Sequence, residues 1–119
     1  MKDNGRIRMT AFNNILYCEA YMEGEFTLDD ASSILDEARA NYELPVDVIL
    51  YKASTYSVTV EVQLMMSNKL DELRNFVYIV DNETKKASAE FAADTYMKPY
   101  NARIASSLDE AYAMLLASV

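Results

Sequence analysis

Residues 46–53 read VDVILYKA, residues 76–80 read FVYIV and residues 102–105 read ARIA. Each stretch is short and rich in apolar or β-branched residues, which is typical of strands inside a sheet. Each is followed by polar capping residues and then by apolar residues at helical spacing. A strand–helix unit that is used three times in succession predicts a parallel sheet built by right-handed crossovers.

The first half of the chain adds a hairpin and one more helix. Residues 6–22 favour two strands joined at Asn13 and Asn14, because asparagine tolerates the positive φ of a tight turn. Residues 24–26 are expected to be a short connection. Thr27 is the predicted N-cap of the first helix, since its hydroxyl can accept a backbone N–H.

The remaining boundaries follow from hydroxyl-rich loops and capping residues. A loop is expected at 54–59, and a helix from there to about residue 74. Asp81 or Asn82 caps the next helix, which covers 83–97. The last strand is predicted at 101–105. Ahead of the final helix, Ser107 and Glu110 have the S-x-x-E spacing of a capping box.

These elements predict a single α/β domain over residues 1–119 with the order ββαβαβαβα. Its sheet is mostly parallel and five-stranded, with the first strand antiparallel at an edge. A chain of 119 residues has a common single-domain length, and two glycines and two prolines leave no long flexible linker.

Composition excludes several classes of partner. A net charge of −8 argues against nucleic acid and against an anionic membrane surface. No apolar run approaches the ~20 residues that span a bilayer, so membrane insertion is not expected. The stretch MKDNGRIRMT lacks the apolar segment of a signal peptide, and the single cysteine forms no internal disulfide. These features favour a cytoplasmic location.

The sequence contains few of the residues and motifs that enzymes use for catalysis. The chain has no histidine, which removes the commonest general base and metal ligand. No calcium loop, P-loop or G-x-G-x-x-G is present. Cys18 falls in mid-strand on a predicted buried face, which favours a structural thiol over a nucleophile. The sequence therefore predicts no catalytic residue, no cofactor and no metal; an enzyme that uses carboxylates and tyrosines is the least favoured alternative.

Alternation along the strands predicts a tyrosine-rich sheet face. Successive strand residues point to opposite sides, and crossovers between strands in chain order place the central helices on one side. The less covered side is expected to carry Tyr17, Tyr21, Ile49, Tyr51, Tyr78 and Arg103. Tyrosine and arginine are favoured in recognition surfaces, so this face predicts a protein partner or a homodimer. The alternative is that tyrosine simply suits half-exposed strands.

Two loops at the carboxyl ends of strands form a second candidate site. One offers the hydroxyls of Ser57 and Thr59, and the other offers Asp81 and Asn82 at a helix N-terminus. A helix N-terminus with hydroxyls and lysines nearby favours an anion, but Asp81 and Glu83 would repel one. Helix capping is the preferred interpretation of the second loop.

Two long stretches carry a resemblance to a known family. They are FVYIVDNETKKASAEFAADTYMKPYNARIASSLDEAYAMLL at 76–116 and ILYCEAYMEGEFTLDDASSILDEA at 15–38. Their strand–helix order, the strand before residue 106 and the S-L-D-E-A helix start resemble the SpoIIAA-like branch of the STAS domain family. The resemblance covers nearly the whole chain. It implies a STAS-like fold and a non-enzymatic regulatory or protein-interaction module.

The partner-switching members of that family carry a phosphoacceptor serine in a D-S-S-G turn before the second helix. The matching stretch here, YSVTVE at 56–61, lacks the aspartate and the glycine and keeps only the hydroxyls of Ser57 and Thr59. The resemblance therefore implies a module without the usual phosphoacceptor motif. Relatives of the fold also resemble lipid-transfer domains, which implies an alternative: an apolar small ligand in a pocket under the 60–74 helix, beside Met65 and Met66.

Overall fold

The structure, a computed structural model, describes residues 1–117; residues 118–119 lie outside the described part. The strands are β1 (Lys2–Asp3), β2 (Ile7–Phe12), β3 (Ile15–Ala20), β4 (Gly24–Phe26), β5 (Val46–Lys52), β6 (Tyr56–Val58), β7 (Leu73–Ile79) and β8 (Arg103–Ala105). The helices are α1 (Leu28–Asn41), α2 (Val60–Met65), α3 (Glu83–Asp94) and α4 (Leu108–Ala117). Two 3₁₀ turns cover Met66–Asn68 and Lys98–Tyr100.

The main sheet has the order β1-β2-β3-β5-β7-β8. Strands β3, β5, β7 and β8 are mutually parallel, and β2 pairs antiparallel with β3. The mostly parallel sheet with antiparallel pairing at one edge is therefore confirmed. The two-residue β1 makes a sixth strand outside β2. Asn13 and Asn14 adopt the positive φ angles, 51° and 59°, that the predicted hairpin turn requires.

A small second sheet replaces two predicted loops. Strands β4 and β6 pair in parallel, with Gly24 opposite Tyr56 and Phe26 opposite Val58. Each strand is only three residues long and has its partner more than 30 residues away, so no local pattern marks it. Because the Thr59 N–H donates to the Phe26 carbonyl at 3.2 Å, this small sheet leads directly into α2.

The second helix is much shorter than predicted. It ends at Met65, and Leu73 already belongs to β7. The side chain of Tyr100 explains the early end: its hydroxyl donates to the Met66 carbonyl and accepts from the Lys69 N–H at 3.2 Å. A buried side chain from a distant turn thus takes over backbone groups that a continuing helix would use.

Helix caps follow the sequence more closely. Thr27 and Asp30 form a reciprocal capping box at the start of α1, and Asn82 accepts from the Lys85 N–H at the start of α3. The Glu110 N–H donates to the Ser107 hydroxyl at 3.1 Å at the start of α4. These local hydrogen bonds explain why the helix starts were easier to predict than the ends.

Hydrophobic residues form two clusters, one on each face of the sheet. The larger cluster lies between the sheet and α1, α2 and α3, as the right-handed crossovers predict. The smaller cluster lies on the other face beneath α4, where Ala111 and Leu115 pack on Ile49, Val77 and Ile79. No strand follows α4 within the described residues, so the crossover rule does not assign its side. The second face is consequently more covered than expected.

Within residues 1–117, no helix combines the length and the apolar character that crossing a bilayer requires.

Candidate functional site

The strand register tests the predicted tyrosine face directly. Tyr17 lies beside Ile49 in β3 and β5, and Arg103 lies beside Val77 in β8 and β7, all on the α4 side of the sheet. Tyr78 is the exception, because it lies beside Leu50 and is only 5% exposed in the larger cluster. Its assignment to this face was wrong. Strand β7 is apolar on both faces near its end, so no polar residue marks which side faces a helix.

The members that share the α4 side are not an open apolar patch. Ile49 is fully buried beneath α4, and an Arg103 guanidinium N–H donates to the Met114 carbonyl at 3.2 Å. Tyr17 and Tyr51 are half-buried at the margin of the same cluster. Helix α4 therefore covers the part of this face that β7 and β8 form.

The tyrosines beyond α4 are bound to carboxylates of the same chain. The Tyr51 hydroxyl donates to Asp81 at 2.9 Å, and the Tyr17 hydroxyl donates to Glu19 at 3.4 Å. Burial, reinforced by Glu19, raises the pKa of Tyr17 to about 12. The Tyr21 hydroxyl donates to an Asp3 carboxylate oxygen. The margin of the face is consequently polar.

The guanidinium of Arg8 joins this margin. It lies 4.4 Å from the centre of the Tyr21 ring and forms ion pairs with Asp3 at 3.2 Å and with Glu19 at 3.4 Å. All of these groups are at least partly accessible to solvent, so each ion pair contributes little to stability.

The predicted loop site does not come together. Asn82 caps α3, and Asp81 forms an ion pair with Lys85 at 2.9 Å. The Ser57 hydroxyl donates to the Gly24 carbonyl at 3.4 Å, and the buried Thr59 hydroxyl has no hydrogen-bond partner within the described residues. Asp81 and Asn82 line a shallow cleft of about 550 Å³ that Ser57 and Thr59 do not border.

A second cavity lies under α2, where the alternative hypothesis expected one. It has a volume of about 50 Å³ and is bounded by the sheet and by α1, α2 and α3. Its walls are overwhelmingly apolar. They include Ile34, Leu50, Val62, Met65, Met66 and Phe76.

One wall of this cavity carries a buried lysine. Lys52, the last residue of β5, is only 3% exposed, and its amine lies 3.8 Å from the centre of the Tyr56 ring and 5.9 Å from that of Tyr78. In residues 1–117 no carboxylate pairs with this amine and no acceptor hydrogen-bonds to it. Burial, together with repulsion from Lys85, lowers the pKa of Lys52 to about 8.

The neighbouring Lys85 shows what an ordinary buried lysine looks like in this fold. Its amine donates to Asp81 at 2.9 Å and to the Ala53 carbonyl at 3.2 Å. The two lysines are similarly buried but differ in their partners, so burial alone does not account for the state of Lys52.

Tyr56 contributes a second polar group to the cavity wall. The side chain is 6% exposed, and its buried hydroxyl has no hydrogen-bond partner among the described residues. Burial raises the pKa of this hydroxyl above its usual value, so it stays protonated and able to donate. Strand β6 and the Phe26 ring, whose centre lies 5.8 Å away, hold the Tyr56 ring in place.

The sequence analysis missed Lys52 although a signal was present. Lys52 has the same parity as Val46, Val48 and Leu50, the residues of β5 that face the larger cluster. A lysine in register with three core residues predicts a buried amine. Tyr56 carried no such signal, since β6 was not predicted. Cys18, by contrast, is buried as expected.

Within residues 1–117, no group of three or more cysteine and carboxylate residues is arranged to hold a metal ion.

The fold is SpoIIAA-like. The crystal structure of an uncharacterized protein from the DUF3478 family with a SpoIIAA-like fold, from Shewanella loihica PV-4, matches it with a TM-score of 0.60. The match covers 97% of this chain and 98% of that chain at 17% sequence identity. This likeness confirms the α/β class and the SpoIIAA-like fold implied by the sequence, and at that identity it concerns the fold alone. No protein-family model matches the sequence, and no curated protein matches it.

Proposed function

We propose that this protein is a non-enzymatic small-ligand-binding domain whose ligand occupies the cavity beneath α2. The observation that carries the proposal is the composition of that cavity, which is mostly apolar and has the Lys52 amine and the Tyr56 hydroxyl on its wall. The Tyr56 hydroxyl is buried without a hydrogen-bond partner among the described residues, and the buried Lys52 side chain contacts only aromatic rings there, with no hydrogen bond or ion pair. Apolar pockets with a few convergent polar groups are the usual form of small-molecule sites.

The energetics of Lys52 support a ligand over a structural role. Desolvating an ammonium group costs several kcal/mol, whereas a cation–π contact with tyrosine returns about 0.5–2 kcal/mol. The rings of Tyr56 and Tyr78 therefore do not offset the burial of this charge. Groups that destabilise the empty fold in this way are concentrated at functional sites.

The size of the cavity indicates how a ligand enters. A dry cavity of about 150 Å³ holds one benzene molecule, so about 50 Å³ admits only a few heavy atoms. A larger ligand requires α2 to move outward. This six-residue helix lacks a side-chain N-cap hydrogen bond and exposes Leu64 by 69%, features of a locally unstable segment.

Two variants on α2 test the proposal. Met65 lines the cavity and Leu64 faces solvent on the same helix. We expect the neutral dye N-phenyl-1-naphthylamine to bind the wild type and Leu64→Trp with similar fluorescence gain. Met65→Trp should bind the dye at least about tenfold more weakly, because an indole fills the space. Thermal unfolding verifies that both variants are folded. Equal dye binding by both variants, or none by the wild type, would contradict the proposal.

A regulatory or protein-interaction module is the second candidate function. We propose a cytoplasmic location for either function. The second candidate is supported by the SpoIIAA-like fold and by the partly exposed margin formed by Tyr17, Tyr21 and Tyr51 beside α4. Such a module would engage a protein partner or a second copy through this margin, without a metal or cofactor. Sedimentation velocity of the wild type and of Tyr51→Lys tests this candidate.

A further inference from the structure

We infer that the ligand is an apolar carboxylic acid, with its carboxylate bound by the Lys52 amine and the Tyr56 hydroxyl and its hydrocarbon part beneath α2. This inference rests on the proposed function and adds the chemical class of the ligand. The geometry that carries it is the Lys52 amine close to the Tyr56 ring, with the unpartnered Tyr56 hydroxyl beside it, on the wall of a mostly apolar cavity that Tyr78, Tyr96 and Ser88 also line.

The Lys52 amine and the Tyr56 hydroxyl are hydrogen-bond donors that require an acceptor. A protonated lysine has three N–H donors and no acceptor, and a tyrosine hydroxyl with no partner readily donates. The described residues place no acceptor on either group, although the neighbouring Lys85 has two. An oxygen of the ligand would act as the hydrogen-bond acceptor for these two donors.

The charge of Lys52 indicates which chemical class of ligand the cavity binds. Among residues 1–117 the ammonium group of Lys52 is the charge at the cavity wall that no carboxylate pairs with, whereas the neighbouring charge of Lys85 is balanced by Asp81. A carboxylate carries one negative charge on two oxygens, which matches one amine and one hydroxyl. A phosphate has three terminal oxygens and up to two charges, and two donors would leave part of it desolvated and unpaired.

The apolar part follows from the remaining walls. Side chains from α1, α2 and the sheet present hydrocarbon surface, such as Ile34, Val62 and Phe76. Burying hydrocarbon against such surface favours binding in proportion to the apolar area removed from water. An acid with a short aliphatic chain combines both requirements.

The test compares two ligands of equal chain length. Each ligand is titrated at pH 7 into wild-type protein loaded with N-phenyl-1-naphthylamine, and the apparent Kd values of decanoate and decan-1-ol are obtained from the loss of dye fluorescence. We expect decanoate to bind roughly tenfold or more tightly than the alcohol, since one hydrogen bond to a charged group has about that effect. In Lys52→Met, an apolar replacement of similar length, decanoate should bind no more tightly than the alcohol, because its carboxylate would be buried without a counter-charge.

Two further variants assign the effect. Tyr56→Phe removes one donor and should reduce the preference for decanoate by roughly threefold to tenfold. Lys86→Met removes an exposed lysine of α3 and should leave the preference unchanged. If Lys52→Met does not fold, the Tyr56→Phe result and the NMR titration of the Lys52 amine, whose pKa should rise when decanoate binds, still decide the inference.

The outcomes separate the inference from the proposed function. Equal affinities of the wild type for decanoate and decan-1-ol, or an undiminished preference in Lys52→Met, would overturn the carboxylate assignment while the binding function stands. Failure of the dye and of both ligands to bind would overturn both.

Discussion

The environment of the Lys52 amine disfavours its charged form, because the side chain is buried and no carboxylate of residues 1–117 pairs with it. In the unfolded chain the amine titrates near the usual 10.5, whereas in the folded protein burial lowers the pKa to about 8. Between these two pH values the Lys52 amine binds more protons in the unfolded chain than in the folded protein. The contribution of Lys52 to the free energy of unfolding therefore becomes more favourable as pH rises from about 8 to 10.5. Below about 8 the full cost of burying the charge is present.

We therefore expect Lys52→Met to be more stable than the wild type at pH 7. The difference should be on the order of 3 kcal/mol at most, which corresponds to the separation of the two pKa values. It should shrink as pH rises from 8 to 10.5, because the wild-type amine becomes neutral. Urea unfolding of both proteins at several pH values measures this difference.

The difference between the unfolding free energies of the two proteins isolates the titration of Lys52. The tyrosines whose pKa values burial raises are present in both proteins, so their contributions cancel. Lys86→Met serves as the control, because Lys86 is exposed and its replacement should change stability little at any pH. A Lys52→Met variant that is less stable than the wild type at pH 7 would show that the lysine contributes to the empty fold.

At the scale of elements, the short α2 depends on a residue far away in the chain. Tyr100 is fully buried in the 3₁₀ turn after α3, and its hydroxyl holds the Met66 carbonyl and the Lys69 N–H. Its removal would leave two backbone groups without partners where the chain leaves α2 for β7. The Tyr100 hydroxyl thus holds the C-terminal end of the segment that forms one wall of the cavity.

We expect Tyr100→Phe to lower the free energy of unfolding by about 1–3 kcal/mol, the cost of leaving buried polar groups unsatisfied. Amide exchange at Lys69 should accelerate more than exchange in the β5 strand. Tyr42→Phe is the matched control, because the half-buried Tyr42 hydroxyl makes no hydrogen bond within residues 1–117. Similar small losses in both variants would mean that the Tyr100 hydroxyl does not hold this segment.

At the scale of the whole molecule, the sheet separates two surfaces with different chemistry. One face forms the cavity with α1, α2 and α3, and the other is partly covered by α4. The uncovered margin beside α4 carries Tyr17 and Tyr51 together with ion pairs of Arg8. A net charge of −8 opposes association of two copies except through such a locally mixed surface.

If this margin is an interface, Tyr51→Lys should weaken self-association or partner binding by roughly tenfold, because tyrosines in interfaces often contribute more than 1 kcal/mol. The added ammonium stays near Asp81, so the fold should be retained. Sedimentation velocity over a range of concentrations measures the change. Phe91→Lys on the exposed side of α3 is the control. A wild type that stays monomeric at high concentration and captures no partner would remove this second candidate.

Local sequence patterns are sufficient to predict the α/β class and the parallel crossovers of this protein. The apolar stretches at 46–53, 76–80 and 102–105 and their following helices specify parallel crossovers, because strand and helix periods are local properties. Caps such as Thr27 and Asn82 were equally predictable, since each capping side chain bonds within three residues. The burial of Cys18 followed from alternation in a strand with one wet face.

The side of α4, the β4–β6 pairing and the face of Tyr78 depend on contacts between distant segments and were not predictable from local patterns. Within residues 1–117 no strand follows α4 to constrain its side. The β4–β6 pairing joins segments more than 30 residues apart, and Tyr78 lies in a strand that is apolar on both sides. The candidate site has one feature that the sequence pattern predicts and others that depend on tertiary contacts. The alternation along β5 indicates that Lys52 faces the core. Its position over the ring of Tyr56, without a hydrogen bond or ion pair in the described part of the chain, depends on elements that meet only when the chain folds.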